Sequence, residues 1–263
     1  MRIAFIGAYG KMGQSMMQGV SAAEDMDVVG AVDINGVGCD IAEIVGGEKR
    51  GVLIESDMAE MIETKHPDIL IDFTTPVAVK QDIDTALGHK KHIIVGTTGL
   101  SEEELREIDE KARKANRVVF VVPNFALGAV LMMNFAASAA KYFPTVEVIE
   151  LHHDQKKDAP SGTALKTLEM MAREREKVRQ GQGDEVEQIK GSRGGEYEGM
   201  RVHSVRLPGF VAHQEVIFGG RGQTLTIRHD SMNRESFVPG VLLAIRSLGD
   251  LTPGLVYGLE NVL

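Results

Sequence analysis

Five short, nearly unbroken apolar runs mark the first half of the chain: Ile3–Ile6, Val28–Val32, Ile69–Phe73, Ile93–Val95 and Val118–Val122. A strand with one wet face alternates apolar and polar residues, so runs without polar gaps predict burial on both faces. That is the pattern of a parallel sheet flanked by helices. The clearest helix opens at Ser101, which forms a capping box with Glu104. Leu105, Ile108 and Ala112 follow at helical spacing, and its many charges read as a solvated face. The pattern changes after Asn124. Val146–Leu151 reads as a strand, and Ser161 to about Arg175 as a helix with Leu165, Leu168 and Ala172 inward. The charged, apolar-poor stretch Glu174–Gly195 reads as a mobile loop. Val202–Leu207, Val211–Phe218 and Thr224–Ile227 read as strands of an antiparallel sheet, with Leu225 and Ile227 alternating against Thr224 and Thr226. Glu235–Ser247 reads as helical again, with a turn within it at Pro239-Gly240.

The chain has 263 residues, enough for one large domain or two modest ones. Its net charge of −9 and pI near 5.4 make it a poor general binder of nucleic acid or anionic membrane. An acidic protein that takes anionic ligands must concentrate positive potential locally, which draws attention to Lys156 and Lys157. The single cysteine, Cys39, allows no internal disulfide, fits a reducing compartment and reads as a small filler. The first apolar run stops at Gly7, which is too short for a secretory leader, and no apolar run approaches 18 residues. A soluble, cytoplasmic protein is expected, with neither nucleic-acid nor membrane partners.

Arg2-Ile-Ala-Phe-Ile-Gly7 is followed by Gly10, Gly13 and the helix-like Gln14–Ser21. Strand, glycine turn and helix in this order are the context of a dinucleotide-binding fingerprint, here spaced Gly-x-x-Gly-x-x-Gly. Gly7 permits the tight turn, Gly10 lets backbone approach a pyrophosphate, and Gly13 lets helix pack on strand. The second apolar run ends at Asp33, 20 residues past Gly13, about where an acid accepts hydrogen bonds from a ribose diol. Such an acid repels the 2′-phosphate of NADPH. Ile34 and Asn35 follow it where NADPH users place Arg or Lys, although Lys11 offers a compensating charge. NADH is therefore the expected preference, with NADPH accepted as well.

The densest chemistry lies in Glu150-Leu-His-His-Asp-Gln-Lys-Lys-Asp-Ala-Pro-Ser-Gly-Thr163. Histidine is the usual general acid near neutral pH, and lysine is a compact cation for a carboxylate. Ser161, Gly162 and Thr163 would open a helix whose unpaired N–H groups form an anion site. A proton source beside two anion-holding devices points to an enzyme acting on a small acidic substrate. A zinc site at His152, His153 and Asp154 is the competing reading. It lacks the His-x-x-x-His spacing and any supporting cysteine, so no metal is expected.

These residues resemble one family, dihydrodipicolinate reductase (4-hydroxy-tetrahydrodipicolinate reductase) of the bacterial and plant diaminopimelate–lysine pathway. The matching pieces are Gly7-Ala-Tyr-Gly-Lys-Met-Gly13, Asp72-Phe-Thr74, Gly96-Thr-Thr-Gly99, Pro123-Asn-Phe-Ala-Leu-Gly128, Glu150-Leu-His-His153, Lys156 to Ala164 and His229-Asp-Ser-Met-Asn-Arg234. The resemblance implies an α/β fold with a discontinuous Rossmann-type parallel-sheet domain at 1–125 and 236–263. A smaller α+β domain at 126–235, with an open antiparallel or mixed sheet, would bind substrate and join a homotetramer. The implied reaction is NAD(P)H-dependent reduction of 4-hydroxy-tetrahydrodipicolinate, a small cyclic dicarboxylate, to tetrahydrodipicolinate with loss of water. The implied cofactor contacts are Gly7, Ala8, Tyr9, Gly10, Lys11, Met12 and Asp33. Gly96, Thr97, Thr98, Val122, Pro123, Asn124 and Phe125 would join them on the nicotinamide side. His152 would donate the proton, and Lys156 would hold a substrate carboxylate or help supply the proton. His153, Gly162 and Thr163 would touch substrate, and Arg234 would make either a salt bridge or a substrate contact. A related oxidoreductase acting on an amino acid would share the first 125 residues but give no reason for the His-His-to-Ser-Gly-Thr stretch. A non-catalytic redox sensor would leave the same cluster unexplained.

Overall fold

The structure, a computed structural model, describes all residues from Met1 to Leu263. The chain begins with β1 (Arg2–Ile6), α1 (Lys11–Ser21), β2 (Asp27–Val32), α2 (Ala42–Val45), β3 (Ile54–Glu55) and α3 (Met58–Lys65). It continues through β4 (Ile69–Asp72), α4 (Val79–Gly88), β5 (His92–Val95), α5 (Glu102–Ala115) and β6 (Val118–Val121). Then come α6 (Leu127–Ala140), β7 (Thr145–His152), α7 (Gly162–Glu174), β8 (Gly195–Tyr197), β9 (Met200–Arg206), β10 (Ala212–Gly220) and β11 (Gln223–Ser231). Last are α8 (Val238–Ser247) and β12 (Gly254–Tyr257). Two compact units result: Met1–Phe125 with Arg234–Leu263, and Ala126–Asn233.

The first unit holds a seven-stranded sheet in the order β12-β6-β5-β4-β1-β2-β3, every pair parallel. Its strands are the apolar runs, and Phe5, Leu70, Ile71, Ile94 and Phe120 are wholly buried. Ile6 is level with Val32 and Asp72, Asp72 with Val95, and Val95 with Val121, so the carboxyl ends form one row. Strand order reverses between β1 and β4, the switch point where open α/β sheets bind ligands. The Ser101–Glu104 capping box forms in full at the start of α5. Pro239 and Gly240 do not break α8. Pro239 sits in its first turn, where a missing N–H costs nothing, and a Cβ on Gly240 would lie 2.0 Å from the Phe125 carbonyl oxygen. Gly240 is there for close packing.

The second unit holds a five-stranded sheet, β11-β10-β7-β9-β8. It is mixed, not purely antiparallel: β7 lies between β9 and β10, and β7 and β9 run parallel. The cause is covalent, because α7 is the crossover that carries the chain from β7 back to a parallel neighbour. On β7, Val146, Val148 and Glu150 are buried on one face, whereas Glu147, Ile149 and Leu151 on the other are half-buried. The inward stripe of α7 is Ala164, Thr167, Leu168 and Met171. Leu165 is exposed and Ala172 half-buried, against expectation. Thr167 tolerates burial because its hydroxyl donates to the Thr163 carbonyl at 2.7 Å. Leu225 is likewise exposed, near the turn that joins β10 to β11. The stretch from 175 to 194 is irregular but tied down: Gln180 bonds both backbone groups of Val146, and Arg193 bridges Glu147 and Glu185.

Candidate active site

Every expected cofactor residue of the first unit lies at or just beyond a strand's carboxyl end. Gly7 leaves β1 with φ +76°, where a Cβ would fall 2.6 Å from the Phe73 carbonyl oxygen. A Cβ on Gly13 would lie 2.1 Å from the Gly7 carbonyl oxygen, so helix and turn meet backbone to backbone. Gly10 caps α1 without a side-chain bond, and no acid stands in the first turn. The leading N–H groups of α1 are thus suited to a phosphate, with Lys11 exposed at their head. Ala8 is buried, Met12 half-buried and Tyr9 exposed. The Tyr9 N–H donates to Asp33 Oδ2 at 2.8 Å, and the Asn35 N–H to Oδ1 at 2.9 Å. Oδ1 also receives the Asn35 side-chain amide at 3.5 Å, and Oδ2 keeps a lone pair for a hydroxyl. A cleft of about 680 Å³ takes in Gly7, Gly10 and Asp33, together with Asn35, Thr74 and Asp82, of which the sequence did not single out Asp82.

Gly96, Thr97 and Thr98 follow β5, and Val122 to Phe125 follow β6. A Cβ on Gly96 would press 2.3 Å from the Phe73 ring, which packs on Phe125 at 5.7 Å between centroids. Val122, Phe125 and Thr97 are buried, Asn124 is half-buried, and Thr98 and Pro123 are exposed. Beneath this row lies Asp72, wholly buried, accepting from the Thr97 hydroxyl at 2.8 Å and the Thr74 N–H at 3.1 Å. The Thr74 hydroxyl also touches Asp82 Oδ2 at 3.2 Å. Burial, and after it the Asp72 carboxylate, push Asp82 up to about 7. A nicotinamide dinucleotide fits these residues: glycines that admit no side chain, an open helix start and a pre-placed carboxylate.

In the second unit, β7 ends in Glu150-Leu-His152. Residues two apart on a strand share a face, and the His152 ring meets Glu150 at 2.5 Å between Nδ1 and Oε2. Arg206, in register with His152 on β9, adds two bonds of 2.8 and 2.7 Å to the same carboxylate. The Ser161 N–H donates to Glu150 Oε1 at 3.2 Å, and the Ser161 hydroxyl caps α7 at Ala164 N. Burial would raise Glu150, but the bonds from His152 and Arg206 outweigh it and hold the carboxyl at about 2. Gly162 and Thr163 supply the first turn of α7, and no Cβ on Gly162 would meet anything within 4 Å. Lys156 pairs with Asp158 at 2.8 Å. His153 and Arg234 are exposed, and no cluster of His, Cys, Asp or Glu has the arrangement of a metal site. Sequence reasoning gave no role to Glu150, Arg206, Asp72 or Asp82. Of these, only the Glu-x-His spacing was a readable signal.

A parallel sheet with a dinucleotide turn, joined to a unit in which a buried Glu150 carboxylate links a histidine to a helix start, fits a pyridine-nucleotide-dependent oxidoreductase. The family model for the dihydrodipicolinate reductase N-terminus matches residues 1–125, and that for its C-terminus residues 128–263. The 4-hydroxy-tetrahydrodipicolinate reductase of Listeria innocua is 52% identical over the whole of both chains. That of Desulfitobacterium hafniense is 50% identical over all of this chain and 98% of its own. Among solved structures, a dipicolinate-bound dihydrodipicolinate reductase from Paenisporosarcina sp. TG-14 superposes with TM-score 0.90 at 44% identity, covering 100% of this chain and 99% of that one. An amine dehydrogenase from Mycobacterium smegmatis, at 16% identity and TM-score 0.70, shares the fold alone. The chain belongs to the dihydrodipicolinate reductase family. No helix is long and apolar enough to cross a membrane.

Proposed function

We propose that this chain reduces 4-hydroxy-tetrahydrodipicolinate to tetrahydrodipicolinate, with loss of the 4-hydroxyl as water, in diaminopimelate and lysine synthesis. The observation that carries the reading is the buried Glu150 carboxylate, which joins the His152 ring to the amide that opens α7. A reduced nicotinamide, when bound, supplies the hydride. The chain's own groups do the rest. Lys156 and the N–H groups of Gly162 and Thr163 hold the two carboxylates, with His153 as a further contact. Conjugate reduction leaves electron density on the ring nitrogen and C3, and His152 delivers the proton that this density requires. General acid help of this kind contributes roughly 10²–10⁴ in rate.

Three finer points belong to the same reading. The Met1–Phe125 and Arg234–Leu263 unit holds the dinucleotide through the turn, Asp33, and the loops after β5 and β6, with NADH preferred and NADPH accepted. The second unit holds substrate and joins four copies through the half-buried face of its sheet. The single cysteine and acidic balance favour a cytoplasmic setting. Turnover of enzymatically generated substrate tests the reading. His152→Gln and Lys156→Ala should each lower turnover at least about tenfold, inside the general-acid range, with dinucleotide affinity unchanged. No turnover by the parent chain with either cofactor would refute the activity, and unchanged turnover in both variants would refute the site.

A further inference from the structure

Glu150 shows none of its surface to solvent, yet it is charged. A buried carboxylate is costly unless each lone pair is met, and here His152, Arg206 and Ser161 meet them. Resting on the reaction proposed above, we infer that Glu150 is a positioning residue: it fixes the tautomer of His152 and ties that ring to the start of α7.

The tautomer follows from donor and acceptor counting. An ionised carboxylate has no proton to give, so the 2.5 Å contact requires Nδ1–H of His152 to donate to Oε2. The neutral ring then has Nε2 as its only basic atom, the one through which it takes up and delivers a proton. Oε1 of the same carboxylate receives the Ser161 amide, whose residue caps α7. One side chain thus sets the ring that delivers the proton and the helix start that would hold a carboxylate. The charged and titratable groups facing Glu150 are few. His152 shares its strand, and Arg206 comes from β9. The loop before α7 brings the Asp158 carbonyl, which accepts from Arg206 at 2.7 Å, and the Lys156–Asp158 pair. From β10 the residue in register is the neutral Gln214. Arg206 balances the carboxylate at rest.

Glu150→Gln keeps the volume, removes the charge and turns an amide N–H₂ toward Nδ1, which favours the other tautomer. Nitrogen-15 NMR of labelled imidazole should show the high-pH proton on Nδ1 in the parent and on Nε2 in the variant. Turnover should fall at least about tenfold, and KM should change by less than about threefold. Because Glu150→Gln leaves Arg206 unpaired, Glu150→Gln with Arg206→Met serves as the folded control, and the same tautomer change is expected there. Glu150→Asp should restore the parent tautomer. An unchanged tautomer in the variant would reduce Glu150 to a structural part and overturn the inference. If the parent chain shows no turnover, the proposed reaction fails, while the tautomer change would still uphold the Glu150–His152 coupling.

Discussion

Asp33 accepts backbone amides from Tyr9 and Asn35, which hold its carboxylate at the end of β2 beside the glycine turn. A fixed negative charge there opposes a 2′-phosphate, and its neighbours offer no relief: Ile34 is 90% exposed and uncharged, and Asn35 is neutral. Lys11, on the first turn of α1, is the one nearby cation in the loop. One repulsive carboxylate and one missing cation should outweigh one flexible lysine. NADH is therefore expected to exceed NADPH by about 3–30-fold in kcat/KM, equivalent to roughly 0.7–2 kcal/mol. Steady-state kinetics with each cofactor at saturating substrate measure it, and a preference for NADPH would show that Lys11 prevails. Single residues were legible where the constraint is local. The glycine spacing reports backbone sterics, and Asp33 reports its distance from the turn. Arg206 lies 56 residues beyond its partner Glu150, and no local rule names it.

At the scale of elements, the strands with two buried faces were legible because a short apolar run without polar gaps has few uses other than a strand covered on both sides. Helix faces were harder. The stripes 165, 168, 172 and 164, 167, 168, 171 of α7 fit the helical period equally well, and hydropathy alone favoured Leu165 over Thr167. The fold chose Thr167, whose hydroxyl satisfies itself within the helix and also accepts from Gln214 at 2.7 Å. Pro239-Gly240 was misread as a break because its reason, the backbone of Phe125, is remote in sequence. The start of α7 carries a prediction of its own. If it and Lys156 each hold a carboxylate, as proposed above, a ligand with two carboxylates should use both. Pyridine-2,6-dicarboxylate should compete with substrate and raise the melting temperature in the presence of cofactor, whereas pyridine-2-carboxylate should do so far less. Equal inhibition by the two would count against paired recognition.

For the whole molecule, the sequence conveyed the parallel sheet of the first unit better than the mixed sheet of the second. Consecutive strands joined by helices leave a parallel sheet few alternatives. The position of β7 between β9 and β10 depends instead on which edges the strands find after the α7 crossover. That sheet is covered on one face only. Gln214 bonds Thr167 of α7, and a Cβ on Gly128 of α6 would strike the His229 ring, so both helices lie on the face of Glu150, Gln214 and His229. The opposite face presents half-buried Ile149, Leu151, Val205 and Ile217 among bonded charges such as Glu215–Arg228. An apolar strip rimmed by polar groups is the usual form of an interface core, which is the physical support for assembly through this sheet. Ile149→Glu and Ile217→Glu place a charge at the centre of the strip and leave both helices and the first unit untouched. Light scattering should find the parent chain tetrameric and each variant smaller, with far-ultraviolet circular dichroism and dinucleotide affinity preserved. A monomeric parent, or variants that remain tetrameric, would show that this face has another use.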